Sequence, residues 1–250
     1  MIDVAFTPGE RRQTEVAIVV DVLRASSTAV VALAAGYERV LCVDTVDAAR
    51  RLRSPGRTLA GERGCLPIDG FDIGNSPRAI GRVAGGELVL CTTNGTPAIT
   101  DATARAQQVL IGSLLNLRAL AAAIPSGRDV AIMCAGTDGR FALEDAYVAG
   151  RIVALLAGMR SDGAHAAERL AGAYGSSLGA LAGSANAGVL RDTGQEGDIA
   201  YCAQESVSQV VPQVVGGGPE AGVAVLVEAS DGAREGAGSG ASSEAVLGRP

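Results

Sequence analysis

The chain has 250 residues, 48% of them hydrophobic, enough to bury one sizeable core without disulfides. Its formal net charge is -6 and all 21 basic residues are arginine, which excludes a Schiff-base lysine, a catalytic lysine base and a Walker-type nucleotide loop. The acidic balance argues against a nucleic-acid footprint, and no apolar run reaches the ~18 residues of a membrane span.

Met1–Arg12 lacks the basic and apolar regions of a signal peptide, so a cytoplasmic protein is expected. Strands are predicted at Glu15–Val20, Arg39–Val43, Thr58–Ala60, Glu87–Cys91, Val109–Gly112 and Val130–Cys134, several of them apolar throughout and so buried on both faces. Between them Thr45 or Asp44 is placed to cap a helix over Val46–Arg53. Ser76-Pro77 and Thr96-Pro97 mark helix starts, and Ser113 precedes Leu114–Ala123. From Glu144 the pattern turns helical, over Glu144–Ala157, Ala164–Tyr174 and Leu178–Leu190. This alternation predicts a three-layer α/β/α fold on a mainly parallel or mixed sheet, with a helical C-terminal third. An exposed apolar helical face in that third could make a homodimer. One domain is expected over residues 1–215, with a Gly/Ala/Ser-rich and largely disordered tail over 216–250 and Val223–Val227 as a further candidate strand.

Polar clusters follow or interrupt the apolar runs. The first is Asp21–Thr28, where a strand delivers a carboxylate, Arg24 and the hydroxyls of Ser26, Ser27 and Thr28 into a helix start. The others are Gly61-Glu62-Arg63, Gly70–Pro77, Thr92–Thr96, Gly112–Asn116, and Cys134-Ala135-Gly136 with Glu144-Asp145. Glycines beside hydroxyl and amide groups let backbone N–H approach an oxyanion, and arginines bind phosphate, sulfonate or carboxylate. Carboxylates at the ends of buried strands suggest a hard divalent cation, most simply Mg²⁺. Each cluster also has a purely structural reading. Asp21 can cap the next helix, Thr92–Thr96 can be an ordinary turn, and Glu144 and Asp145 suit the positive end of a helix.

Other chemistries are weaker. The five cysteines form no C-x-x-C pair, and His165, in an Ala-rich helical stretch, is the only histidine. A phosphoaspartyl D-x-D arrangement fails because Leu23 stands at its second position. Cys134 and Arg140 have the C-x5-R spacing of cysteine phosphatases, which makes a thiolate nucleophile the catalytic alternative. A non-catalytic anion-binding protein is the other.

Taken in order, D-V-L-R-A-S-S-T, G-E-R, G-F-D-I-G-N-S-P, T-T-N-G-T, G-S-L-L-N, C-A-G and L-E-D-A-Y-V-A-G resemble the 2-phosphosulfolactate phosphatase family, from about residue 14 to Pro212. The resemblance implies an α/β fold and Mg²⁺-dependent hydrolysis of the phosphate ester of a sulfonated 2-hydroxy acid, on the coenzyme M route in methanogens. Cys91, the loose Ser184-Ala-Asn-Ala-Gly motif and the Gly-rich tail depart from the family pattern, and the lysine-free composition leaves room for a different small phosphorylated acid. On this combined reading Asp21, Glu62, Asp72 and Glu144 are the catalytic candidates. Asp21, Glu62, Asp72 and Asp145 are the candidate Mg²⁺ ligands. Arg24, Ser26, Ser27, Arg63, Asn75, Thr92, Thr93, Asn94, Gly95, Thr96, Ser113 and Asn116 are the candidates for holding a small anionic phosphate ester.

Overall fold

Runs that carry no charged side chain, such as Val16–Val20 and Val130–Cys134, can only be satisfied as central strands, and that is where the computed structural model, which describes residues 1–218 and 222–229, places them. The first half of the chain forms β1 (Ile2–Ala5), β2 (Thr14–Val20), α1 (Ala25–Ala34), β3 (Arg39–Val43), α2 (Val46–Arg51), β4 (Arg57–Arg63), β5 (Leu66–Pro67), β6 (Glu87–Cys91) and α3 (Gly95–Ala102). There follow β7 (Ala106–Gly112), α4 (Leu117–Ala123), β8 (Val130–Cys134), α5 (Leu143–Val153) and α6 (Asp162–Gly172). The described chain closes with α7 (Ser177–Ala182), α8 (Ala185–Asp192), α9 (Gly197–Cys202), β9 (Pro212–Gly218) and β10 (Val223–Glu228).

The strands form one sheet in the order β1-β8-β2-β7-β9-β10-β3-β6-β4-β5. Two parallel groups, β1-β8-β2-β7 and β3-β6-β4, are joined through the antiparallel hairpin β9–β10. Residues alternate across β2: Val16, Ile18 and Val20 pack with Tyr147, Val148 and Ile152 of α5, whereas Ala17 and Val19 pack with Ala29 of α1 and Ile99 of α3. Helices therefore cover both faces, and the three-layer α/β/α reading holds.

The hairpin introduces three antiparallel joints, so the two parallel groups run in opposite senses within the sheet. Five strand steps separate β2 from β6. A twist of about 20–25° per step turns the sheet through more than a quarter circle over that distance, and the loops after β2 and β6 meet. A side chain on Gly95, the first residue of α3, would overlap Asp21 Oδ2 and Ala25 Cβ. The loop after β8 joins them, with Asp138 N donating to Asn94 Oδ1 at 3.1 Å.

Several boundaries differ from the sequence reading. The sheet continues past the boundary drawn at residue 215, because β9 runs to Gly218 and β10 pairs with both β9 and β3. The Val223–Val227 candidate is β10; the remaining tail, 230–250, lies outside the described residues. Leu178–Leu190 is two helices, because Ser184 accepts from Ala187 N and starts α8 afresh. Helix α3 begins at Gly95, two residues before Pro97.

Candidate active site

Strand β2 ends at Val20 and the next residue, half-buried Asp21, turns back on the helix that follows. Its Oδ1 accepts from Ala25 N at 3.3 Å, and Ser26 Oγ donates to its main-chain carbonyl at 2.7 Å. Asp21 thus does cap the first turn of α1. Ser27 Oγ donates to Val22 O at 2.9 Å and Thr28 Oγ1 to Asn75 O at 3.0 Å. The hydroxyls of Ser26 and Ser27 are buried and committed to main-chain carbonyls, which removes them from the set that could meet a phosphate.

Two other carboxylates tie neighbouring loops to this one. Glu62, at the end of β4, accepts from Thr93 N at 2.8 Å and Cys65 N at 2.9 Å, joining the loops after β4 and β6. Asp145, in the first turn of α5, accepts from Val22 N at 2.9 Å and Gly136 N at 3.1 Å, joining the loops after β2 and β8. Glu144 beside it is buried. Each carboxylate is held by donors, yet the group is crowded with negative charge. Burial, then the charge of Glu62, push the Asp21 carboxyl up to about 7. Burial raises Glu144, and burial with the charges of Asp21 and Glu144 holds Asp145 well above the usual carboxylate range.

Asp21, Arg24, Glu62, Asn75, Asn94 and Asn186 line one cavity of about 30 Å³, room for an ion or a water. Asn75 Oδ1 is buried there without a hydrogen-bond partner. Arg24 is already occupied by the protein: its guanidinium, 1% exposed, lies 2.7 Å from Asp198 Oδ2 and also donates to Gln195 Oε1 and to Cys65 O. It fixes the wall of the cavity rather than presenting a free cation.

Other expected residues are placed elsewhere. Asp72 is 41% exposed, pairs with Arg53 at 3.1 Å and accepts from Leu59 N at 2.7 Å; it pins the following segment to β4 and is no part of the cavity. Arg63 donates to Glu62 O at 2.8 Å and Cys91 Sγ at 3.3 Å, on the other side of the strand from the Glu62 carboxylate. Thr92 and Thr96 bond each other, with Thr96 N on Thr92 Oγ1 at 3.0 Å and Thr92 N on Thr96 Oγ1 at 3.1 Å. Ser113 and Asn116 are buried and form a capping box at the turn that leads into α4. Cys134 is fully buried among apolar side chains, and burial followed by the charge of Asp145 pushes its thiol well above the ordinary range. With Arg140 exposed and the Gly136 amide given to Asp145, C-x5-R forms no phosphate loop.

Residues that the sequence did not single out complete the site: Cys65, which takes a positive φ of 65°, and Asn186 line the cavity, while Gln195 and Asp198 hold Arg24 in its wall. Asn186, which donates to Leu23 O, lies in the loosely matched Ser184-Ala-Asn-Ala-Gly stretch; that is the only signal that could have found it. Among the described residues no three His, Cys, Asp or Glu side chains are placed to hold a metal ion by themselves, so the four-carboxylate set of Asp21, Glu62, Asp72 and Asp145 is not a preformed cage.

Residues 4–217 match the model of a family described as 2-phosphosulpholactate phosphatase. The chain belongs to that family. A Deinococcus radiodurans protein named as a probable 2-phosphosulfolactate phosphatase is 41% identical over 213 residues, covering 81% of this chain and 89% of its own. A Thermotoga maritima protein of the same name is 38% identical over 221 residues (87% and 96%), and one from Thermus thermophilus is 40% identical over 218 (84% and 92%). Membership places the chain among phosphoric monoester hydrolases. Among the described residues no helix is long and apolar enough to cross a membrane.

Proposed function

We propose that the chain hydrolyses the phosphate monoester of a small 2-hydroxy acid with a further anionic group, 2-phosphosulfolactate being the first substrate to test, and that Mg²⁺ binds at Asp21 and Glu62. The observation that carries this reading is the small cavity that these two carboxylates line together with Asn75, whose Oδ1 is buried without a donor. Unpaired acceptor and like charges together fit a hard cation. Mg²⁺ commonly takes one or two protein carboxylates and fills its shell with water and substrate oxygens, so the lack of a three-ligand cage among the described residues is compatible with it. When bound, Mg²⁺ neutralises charge on a phosphoryl group and lowers the pKa of a water.

The side chains then have distinct tasks. Asp21 would hold the ion together with Glu62 and stands in the cavity where it can accept a proton from the attacking water. Glu62 and Asp145, each accepting from two amides, hold four loops in register. Asn75 and Asn94 orient oxygens of the ester, and Arg24 keeps the Cys65 carbonyl and its loop in place. Hydrolysis breaks the phosphorus–ester oxygen bond, water supplies the new oxygen, and the 2-hydroxy acid leaves with a proton.

Phosphate release is expected with Mg²⁺, is abolished by EDTA and returns when Mg²⁺ is restored. Turnover that survives EDTA and is lost in Cys134→Ser would reinstate the cysteine nucleophile. Tight, metal-independent binding of a sulfonate without turnover of any phosphate ester would make the chain an anion-binding protein.

A further inference from the structure

A second cavity, about 340 Å³ in volume, opens beside the first, and Asn94 lines both. Thr93, whose amide holds Glu62, lines the larger one as well. Small side chains, among them Pro97, Ala98 and Ala135, leave its floor open, and its size suits a ligand of several heavy atoms. Its charged groups are Arg11, Arg105 and Asp101.

These three form an unbalanced set. Asp101 Oδ2 accepts from Arg11 Nη1 at 3.1 Å and from Arg105 Nε at 2.9 Å, so one carboxylate serves two guanidinium groups and a net positive charge remains. In a chain of net charge -6 this is a local reversal of sign. The Arg11 side chain is 4% exposed, with Nη2 on Cys134 O at 2.9 Å, and its Nε is buried with no acceptor. Leaving such a donor unmet is costly, and an arriving oxyanion would remove that cost.

We propose that this groove seats the second anionic group of the substrate, a sulfonate or carboxylate, with Arg11 and Arg105 as specificity-determining residues. The proposal rests on the hydrolytic reading of the adjoining cavity. A phosphoryl group beside Asp21 and Glu62 would then leave the acid portion to pass Asn94 into the groove, where the cations discriminate esters that carry a second charge from those that do not.

Two measurements separate the groove from the hydrolysis. The first titrates sulfoacetate, and in a parallel arm malonate, into the full chain by calorimetry. Saturable binding of at least one is expected, weakened about tenfold or more by Arg11→Gln and by Gly139→Asp. Gly139 lines the groove with φ +74° and open space at its Cβ position, and aspartate is among the residues that tolerate that conformation. The second compares kcat/KM for 2-phosphosulfolactate, 2-phospholactate and phenyl phosphate. The preference for the first two over the third is expected to fall about tenfold in either variant, through KM. Sulfoacetate preferred to malonate assigns the seat to a sulfonate, and the reverse to a carboxylate. Wild-type binding and wild-type preference in variants that melt normally would overturn the proposal. If Arg11→Gln does not fold, Gly139→Asp decides. If no ester is hydrolysed, the hydrolytic reading fails, and the calorimetric arm still decides whether the groove binds anions.

Discussion

Asp21 and Asp72 both stand in polar clusters of the sequence, yet one lines a cavity with Glu62 and the other lies on the surface beside Arg53. Their isosteric variants are expected to separate. Asp21→Asn removes the proton acceptor and lowers kcat by about 10²-fold or more, whereas Asp72→Asn retains turnover and shifts stability by no more than about 1 kcal/mol. Equal loss in both, measured on folded protein, would contradict the assignment. Arg24→Ala leaves Asp198 buried and charged without its partner, and such truncations cost about 3–5 kcal/mol; its main effect is expected in the denaturation midpoint. The contrast also marks what was legible. Asp21, Glu62 and Asn94 were found because polar residues just after or at the end of strands stand out from apolar runs, and Asn75 because it lies in the Gly-rich polar cluster Gly70–Pro77. Side-chain direction was not visible: Glu62 and Arg63 are neighbours on a strand and so face opposite sides, and a motif that reads as one polar unit is split by the sheet. Ser113 and Asn116 look the same in sequence whether they meet a ligand or, as here, close a turn.

Glycines mark several of the close approaches between elements, and two of them bear on the site and on the helical layer. Gly95 opens α3 against Asp21 and Ala25, and Gly150 of α5 lies against the Ala167 carbonyl and Ala171 Cβ of α6. Gly150→Ala forces apart the crossing of α5 and α6 and is expected to destabilise the fold by about 1–3 kcal/mol, read as a lower urea midpoint. Gly95→Ala strikes the Asp21 carboxylate instead, so its signature is a fall in kcat with a smaller change in midpoint; a pure stability loss would separate α3 from the site. The strands legible in sequence were the long apolar ones of both parallel groups. Missed were the two-residue β5, the four-residue β1 with Asp3 inside it, and β9, whose Gly216-Gly217-Gly218 end resembles a tail. β1 gains its place from pairing with the distant β8, and β9 from docking on the distant β7 and closing the hairpin with β10, which local composition does not encode.

At the scale of the molecule, the carboxylate cluster sets how stability responds to pH. Asp21, Glu144 and Asp145 all have carboxyls raised in the folded state, so between about pH 4 and pH 7 the folded chain binds more protons than the unfolded one and stability falls as pH rises. Asp3, Asp101 and Asp129 behave oppositely. The Ser161 hydroxyl and then Arg12 hold Asp3 down, and arginine partners hold down Asp101 and Asp129; their contribution, present above the unfolded value, is lost only as pH drops through the lowered one. The metal-free protein is therefore expected to melt highest near pH 5 and progressively lower toward pH 8, a trend that ion pairs alone would not produce. One histidine in the whole chain leaves few other groups to titrate in that interval. Mg²⁺ supplies the missing counter-charge and competes with protons for the same oxygens, so its addition is expected to raise the melting temperature clearly at pH 8 and little at pH 5. A melting temperature that stays flat or rises from pH 5 to pH 8 in EDTA would mean that the carboxylates share no uncompensated charge. A Mg²⁺ shift equal at both pH values would place the ion away from Asp21.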